Sequence, residues 1–405
     1  VYGLAQKGET GASAWSYLEG DDVFLYTDPD FNSQKVEQYQ LGYQLEHEFD
    51  NGLTFRQNAR VGDVDLTAHY LNRVLVNADG TWPTTSVTDD MRTYQIDNQL
   101  EGQFDTGSIA HTLLTGLDYT YVTSDFAMGS GSVAAGAPGS SVAIPALTTF
   151  SGSDLSQTGI YAQDQMEFGN WRAVGGLRYD WAHQESTDKV AGTTDVKDDG
   201  VLSGQVGLLY LFDNGIAPYV SYGTSFVPST NLSVTGEVLD PTKGRQIEAG
   251  VKYQPDGESF SLNAAVYQLV ETGKPQYAGY SSFYYYENSG ENTYTGFELE
   301  GRNEFDNGIS LVAAYTYAHA EITDNIDPTL IGNAPSTAPR HVASLWVNYA
   351  VPDDSVLAGL SVGAGIRAMG DSFTSDANTG KNAGAAYFDA ALSYDFGAKS
   401  PDLKG

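Results

Sequence analysis

The amino-acid sequence predicts an all-β chain, a transmembrane antiparallel up-and-down β-barrel with about fifteen strands present. Three observations carry that expectation. Apolar and polar side chains alternate with period two over stretches of mostly about 11 to 14 residues. A globular strand averages ~5–6 residues, and a tilted strand needs ~9–11 to cross a bilayer. Turn-forming strings recur, with Phe-Asp-Asn-Gly at Phe49–Gly52, Phe212–Gly215 and Phe305–Gly308. Long polar connections separate these turns, so tight turns fall on one side of the sheet and long loops on the other, as in an outer-membrane barrel.

Composition removes several classes. The chain has 405 residues, 52 of them acidic and 20 basic, and a formal net charge of −32. Such a chain repels a polyanion, and no basic cluster offsets the repulsion, which argues against nucleic-acid binding. Without cysteine it holds no disulfide framework and no thiolate metal site. Hydrophobic residues at 41% and aromatics at 12% are too many for a disordered chain. No apolar run approaches the ~18 residues of a membrane helix. The opening Val1-Tyr-Gly-Leu4 lacks both the basic and the apolar regions of a targeting segment.

Residues 1–35 read as an extracellular loop region. Strands near 36–49 and 53–67 flank the Phe49 turn, and before it Tyr39, Leu41, Tyr43 and Leu45 alternate with Gln38, Gln40, Gly42, Gln44 and Glu46. Strands near 92–105 and 110–124 flank Phe104-Asp-Thr-Gly107, those near 156–168 and 171–184 flank Phe168-Gly-Asn170, and those near 201–212 and 215–227 flank the Phe212 turn. Pro255-Asp-Gly257 separates 244–255 from 258–270, the Phe305 turn separates 291–305 from 309–321, and Pro352-Asp-Asp354 separates 341–351 from 356–369. A last strand near 385–396 alternates Phe388, Ala390, Leu392 and Tyr394 with Asp389, Ser393 and Asp395. Asn-Gly and Asp-Gly provide the positive φ that a two-residue hairpin turn demands. Loops are expected at Ala127–Leu155, Asp188–Gly200 and Asn325–Pro339. Residues 36–397 thus form one partial barrel, and 398–405 a cut end at a periplasmic turn.

Two soluble architectures share parts of this pattern. A sandwich also alternates, with its apolar faces packed on each other. A β-propeller also repeats every ~40–50 residues, but with four short strands and a blade motif in each period. Strand length, one-sided loops and the tyrosines near apolar strand ends (Tyr253, Tyr315, Tyr349, Tyr394) favour the membrane barrel. An odd number of strands does not close an antiparallel barrel. The chain therefore reads as an internal fragment of a larger one, with neither plug domain nor closing strands.

Specific strings then resemble a known family. Pro29-Asp-Phe-Asn32 with Glu37-Gln-Tyr-Gln-Leu-Gly-Tyr43, Leu53-Thr-Phe-Arg-Gln-Asn-Ala-Arg60 and His111-Thr-Leu-Leu-Thr-Gly-Leu-Asp-Tyr119 are similar to TonB-dependent siderophore receptors. So are Gln157-Thr-Gly-Ile-Tyr-Ala-Gln-Asp164, Gly176-Leu-Arg-Tyr-Asp180, Ala217-Pro-Tyr-Val-Ser-Tyr222, Glu248-Ala-Gly-Val-Lys-Tyr253, Gly296-Phe-Glu-Leu-Glu-Gly301 and Ala338-Pro-Arg-His-Val-Ala-Ser-Leu-Trp346. The likeness runs in order from about Tyr2 to Phe396 and is nearest to receptors of the ferrichrome and hydroxamate type. It implies a 22-stranded outer-membrane barrel plugged by an N-terminal domain, multi-pass in a Gram-negative bacterium. It implies active uptake of a ferric siderophore, no catalysis and no cofactor. The partners implied are the TonB energy-transducing complex, reached through the missing N-terminal part, and outer-membrane lipid with lipopolysaccharide. The competing readings are a passive porin and a soluble all-β, propeller-like binding protein.

Chelate recognition suits aromatic rings with a few hydrogen-bond donors. The densest candidate is a long connection carrying Tyr277, Tyr280, Phe283, Tyr284, Tyr285 and Tyr286. Two roles are open to it: rings of an outer girdle at headgroup level, or ligand contact. Trp82, Tyr70 and Phe226, at outer strand ends, are further candidates with packing as the alternative. Glu298 and Glu300 share the inward face of one strand, where pairing or hydrating a channel suits them better than acid–base chemistry. The histidines at 47, 69, 111, 183, 319 and 341 show no metal-ligand spacing. Neither a nucleophile elbow nor a phosphate-binding loop occurs.

Overall fold

In the computed structural model, residues 2–11, 16–19, 22–25, 28, 30–71, 77–229, 231–280, 284–352 and 354–396 are described. The Phe-Asp-Asn-Gly strings set the geometry of the short-turn side. At the first, the N–H of Phe49 donates to the Leu53 carbonyl at 2.8 Å and the N–H of Gly52 to the Phe49 carbonyl at 2.9 Å. Asn51 Oδ1 accepts the N–H of Leu53 at 3.2 Å. The loop is therefore three residues long, a turn closed by a glycine in the left-handed region (Gly52, φ 79°), rather than the expected two-residue turn. Only the last position needs positive φ, so Asn51 keeps ordinary backbone and spends its side chain on the cap. The 212 and 305 turns repeat this bonding. Two-residue loops do occur, at Gly107-Ser108 and Gly169-Asn170, where Thr106 faces Ile109 and Phe168 faces Trp171.

The strands in chain order are β1 Tyr2–Gly11, β2 Ser16–Glu19, β3 Asp22–Leu25, β4 Ser33–Glu48, β5 Thr54–Leu71, β6 Thr81–Thr106, β7 Ile109–Ala134, β8 Thr149–Phe168, β9 Trp171–Asp188 and β10 Thr193–Tyr210. They continue with β11 Ile216–Val227, β12 Thr242–Tyr253, β13 Ser261–Tyr280, β14 Tyr284–Glu304, β15 Ile309–Asp324, β16 His341–Ala350, β17 Leu360–Met369, β18 Ser372–Phe373, β19 Lys381–Asn382 and β20 Ala385–Tyr394. Sixteen of them, β1, β4 to β17 and β20, form one sheet in which every strand pairs antiparallel with its successor. The pairs β2–β3 and β18–β19 stand apart as small hairpin ladders. This is the expected meander with one strand more than about fifteen. The added strand is β1, inside the stretch read as loop; Tyr2 faces Gly42 and Gly11 faces Ser33. Its three glycines and only two apolar residues in phase, Tyr2 and Leu4, hide the alternation. The count is even, so the odd-count premise does not hold.

Strands also run further toward the long-loop side than expected. β6 and β7 have 26 residues each, and most of the Asp188–Gly200 connection is ladder closed by a turn at Gly192 (φ 71°). Once a hairpin leaves the bilayer both faces are wet, so the period-two signal vanishes while the backbone pairing continues.

Among the described residues, the apolar face has no protein against it. Leu177 and Leu202 are each 64% exposed and Leu392 is 74% exposed, and the buried hydrophobics are mostly alanines. A sandwich would bury these side chains, so the sheet is a barrel wall whose partner is hydrocarbon. On the short-turn side the rings of Trp171, Tyr210 and Phe212 form a chain with centroids 4.8 and 4.7 Å apart. On the other side the rings of Tyr179 and Trp181 meet at 4.7 Å. Trp171 and Trp181 are ten residues apart on β9, about 33 Å along the strand and about 25 Å along the normal at a ~40° tilt, the height of a membrane barrel's apolar band.

Candidate functional site

The aromatic run sits where β13 and β14 climb clear of the membrane. The ladder continues to the pair Tyr280–Tyr284 with three register shifts on the way, so the segment is a bulged hairpin rather than a loop. Tyr277 lies 17 residues beyond Phe260, about 40 Å above the lower girdle at ~3.3 Å per residue and the same tilt. That height is well past the headgroups, which removes the girdle role. The rings of Tyr277 and Tyr286 meet edge to face at 6.0 Å and 74°, and Tyr277 is 57% exposed. The ring of Tyr285 lies across Gly279, where an added Cβ would stand 2.7 Å from Cζ. Phe283 and the side chains of Tyr280 and Tyr284 lie outside the described residues.

Two neighbouring loops brace this hairpin. From the 228–241 loop, the Leu232 carbonyl accepts the N–H of Tyr286 at 2.8 Å and the Asp240 carbonyl accepts Asn288 Nδ2 at 2.9 Å. Asp240 also meets Lys197 Nζ at 2.6 Å, and the ammonium holds its carboxyl below the usual carboxylate range. On the other side Asn325 Nδ2 donates to Gln276 Oε1 at 2.6 Å.

The other candidates are not gathered here. Tyr70 on β5 faces Thr85, and its hydroxyl reaches Gln34 Oε1 at 3.4 Å. Trp82 on β6 faces Val133, and six strands of ladder lie between β6 and β13. Phe226 on β11 faces Lys243. By alternation Tyr70 points to the polar face, while Trp82 and Phe226 take the phase of the lipid-facing Tyr94 and Tyr222. Register separates them, and register was not legible from the strand ends alone.

A polar network on the inward face was not singled out by sequence reasoning. Arg178 on β9 forks onto both oxygens of Asp118 on β7, with Nη2 to Oδ1 at 2.9 Å, and its Nε donates to Asp180 Oδ2 at 2.8 Å. Gln157 supplies a further donor to Asp180, which is fully buried. Beside it the Tyr161 hydroxyl crosses β7 to donate to Asp97 Oδ1 at 2.8 Å. Both reaches need glycine underneath. A Cβ on Gly116 would sit 2.2 Å from Tyr161 Cζ, and one on Gly159 would sit 2.0 Å from Arg178 Nη2. The ridge separates two hollows of about 580 and 450 Å³. Such an array can hold a hydrated inner wall and hydrogen-bond a passing or docked polar surface; Glu298 and Glu300 belong to the same face, opposite Ala265 and Asn263. The available signal was charge at alternate positions opposite the apolar face, with glycine on the strand between.

Comparison with known proteins decides the family. The family described as TonB dependent receptor-like, beta-barrel, matches residues 2–404. The chain belongs to this family. Among relatives of this TonB-dependent receptor barrel, the ferrichrome outer membrane transporter/phage receptor of Escherichia coli is 34% identical over 90% of the chain and 53% of its own length. The ferrioxamine B receptor of Salmonella typhimurium is 34% identical over 94% of the chain and 54% of its own length. The chain thus spans about half the length of these curated relatives. The crystal structure of the siderophore receptor PiuA from Acinetobacter baumannii superposes with a TM-score of 0.76 at 22% identity, covering 92% of this chain and 60% of that one. The ferripyoverdine receptor of Pseudomonas aeruginosa gives 0.74 at 16% identity, covering 97% and 56%. These structures share the fold: antiparallel outer-membrane barrel wall, as the alternation and one-sided loops implied.

Proposed function

We propose that this TonB-dependent receptor barrel forms the wall of a receptor for active uptake of ferric siderophores across the outer membrane of a Gram-negative bacterium, with hydroxamate chelates as cargo. The observation that carries the proposal is the 34% identity to both a ferrichrome and a ferrioxamine B receptor over nine-tenths of the chain. The architecture supports it, with a polar inner wall for a hydrated passage and an exposed aromatic hairpin above the membrane to meet a chelate with partly apolar rims. Tyr277, Tyr285 and Tyr286, with Tyr280, Phe283 and Tyr284, are the proposed ligand contacts; Tyr70, on the polar face, is a secondary one, whereas Trp82 and Phe226, in the lipid-facing phase, are not. Energy comes from the TonB complex and the apolar face contacts lipid and lipopolysaccharide. The role is transport, with no chemical step and no resident cofactor.

The test is iron-limited growth and radiolabelled-iron uptake in a strain deleted for the full-length protein, fed a panel of ferric siderophores. Loss of uptake for at least one hydroxamate chelate is expected, restored by the intact gene. The Y277A/Y286A variant should restore surface protein but reduce uptake about tenfold, since losing two aromatic contacts to the chelate costs on the order of 1–2 kcal/mol. Unchanged uptake of every chelate in the deletion strain ends the proposal.

A further inference from the structure

The aromatic hairpin stands in a strongly negative mouth. The three segments that meet there, 228–241, 271–292 and 321–340, hold eight carboxylates and two basic side chains. The bracing bonds described above join them into one rim. Their one lysine is engaged, with Lys274 Nζ on Glu271 at 3.1 Å. Lys197, from the neighbouring β9–β10 hairpin, is held by Asp240. Glu287, next to Tyr286, is exposed and has no basic side chain within 4.0 Å among the described residues. In this field the rings of Tyr277 and Tyr286 form a corner, 6.0 Å between centroids and 74° between planes, and Tyr277 is more than half exposed.

We propose that the Tyr277–Tyr286 corner selects a chelate bearing a protonated amine, so that the cargo is a cationic hydroxamate rather than a neutral or anionic one, a selectivity that rests on the hydroxamate uptake proposed above. Iron(III) and three hydroxamate anions are together neutral, which leaves the net charge of such a chelate to its side arms. The face of a tyrosine ring is the negative end of its quadrupole and attracts an ammonium, and two rings at a steep angle offer it two such surfaces. A mouth of one sign also raises the local concentration of a cation and lowers that of an anion. Each feature alone has another use: exposed tyrosines suit apolar rims, and acidic loops keep a protein soluble. Together they discriminate. An apolar rim gains nothing from a rim with six excess carboxylates, whereas an ammonium gains from the rings and from the charge.

The experiment measures equilibrium binding to the purified full-length protein in detergent, with three radio-iron-loaded probes on one tris-hydroxamate frame. They are ferrioxamine B with its free amine, its N-acetyl derivative and its N-succinyl derivative, which carry a positive charge, no charge and a negative charge. Wild type should bind the free amine about tenfold more tightly than the acetyl form, the scale of one cation–π contact in a negative field, and the succinyl form most weakly. Y277F/Y286F keeps both ring faces and should keep that ratio. Y277L/Y286L keeps only apolar volume and should bring the ratio within about threefold. Equal affinity of wild type for all three probes overturns the proposal and leaves hydroxamate uptake standing. A ratio that survives in Y277L/Y286L, or collapses in Y277F/Y286F, also overturns it, because the ring faces would then not be its source. Heat-modifiable gel migration checks that each variant is folded. Binding of none of the three by folded wild type overturns this proposal and the hydroxamate assignment together.

Discussion

Arg178 shows how single residues hold the wall. Its guanidinium is the counter-charge for Asp180, fully buried, and for Asp118 on another strand. Arg178→Ala leaves a buried carboxylate without its ion-pair partner, which costs about 3 kcal/mol. Urea titration of the folded full-length protein followed by tryptophan emission should show a matching drop in midpoint, and an unchanged midpoint would mean that water replaces the guanidinium. Gly159→Ala acts on the same contact by displacing Arg178, so the double variant should fall well short of the sum. Asp240 gives a pH-dependent counterpart. Lys197 lowers its folded-state pKa, so the stabilisation is complete above the free carboxylate value of ~3.9 and is lost as pH falls through the lower folded value. Hydrogen exchange at the Tyr286 amide, protected by the Leu232 carbonyl, should be unchanged between pH 7 and 5 and rise, after correction for intrinsic rate, as pH falls below the free carboxylate value of ~3.9. Asp240→Asn should show the raised exchange throughout. Arg178 and Asp240 were illegible beforehand for one reason: their partners are 60 and 43 residues distant in sequence, and only register brings them near.

At the scale of the element, hairpins carry their own instructions on the short-turn side. The three Phe-Asp-Asn-Gly turns were legible because glycine and asparagine act locally, through φ and a cap two residues on. Their environments still differ. An added Cβ at Gly52 meets nothing within 4 Å, whereas at Gly308 it would stand 2.3 Å from the Ala350 carbonyl oxygen. Gly52→Ala should therefore cost only the backbone strain of a left-handed alanine, about 1–2 kcal/mol. Gly308→Ala adds a clash with a carbonyl that already accepts no room for movement, since the N–H of Ala350 donates to the Gly308 carbonyl at 2.8 Å. It should cost at least about 1 kcal/mol more, and equal urea midpoints for the two variants would contradict that. Strand ends were legible only within the bilayer. β7 was expected to stop near 124 and runs to Ala134, because a ladder with water on both faces needs no apolar phase. The same blindness concealed β1 and made the aromatic hairpin read as a loop, although its composition had singled out the run that holds Tyr277 and Tyr286, whose rings meet across the hairpin.

For the molecule as a whole, one asymmetry organises everything else: neighbouring residues in a strand face different solvents. Val206 and Gln205 make the sharpest comparison. Val206 is 58% exposed on the apolar face and lies four residues from Tyr210 of the lower girdle, close to mid-bilayer. Gln205 points the other way, and its Nε2 donates to Gln163 Oε1 at 2.7 Å. Val206→Arg places a cation in hydrocarbon and should lower the folding free energy of the full-length protein in lipid vesicles by about 2–4 kcal/mol. Gln205→Arg places the same cation in the hydrated interior and loses only a hydrogen bond of about 1 kcal/mol. A soluble sheet packed on a second layer would also punish Val206→Arg, so detergent supplies the deciding arm. Transfer from vesicles to a detergent micelle, whose apolar layer deforms around a charge, should shrink the Val206→Arg penalty and leave Gln205→Arg unchanged. A penalty for Val206→Arg that is identical in both media would locate the apolar face against protein instead of lipid, and with it would fall the transport reading.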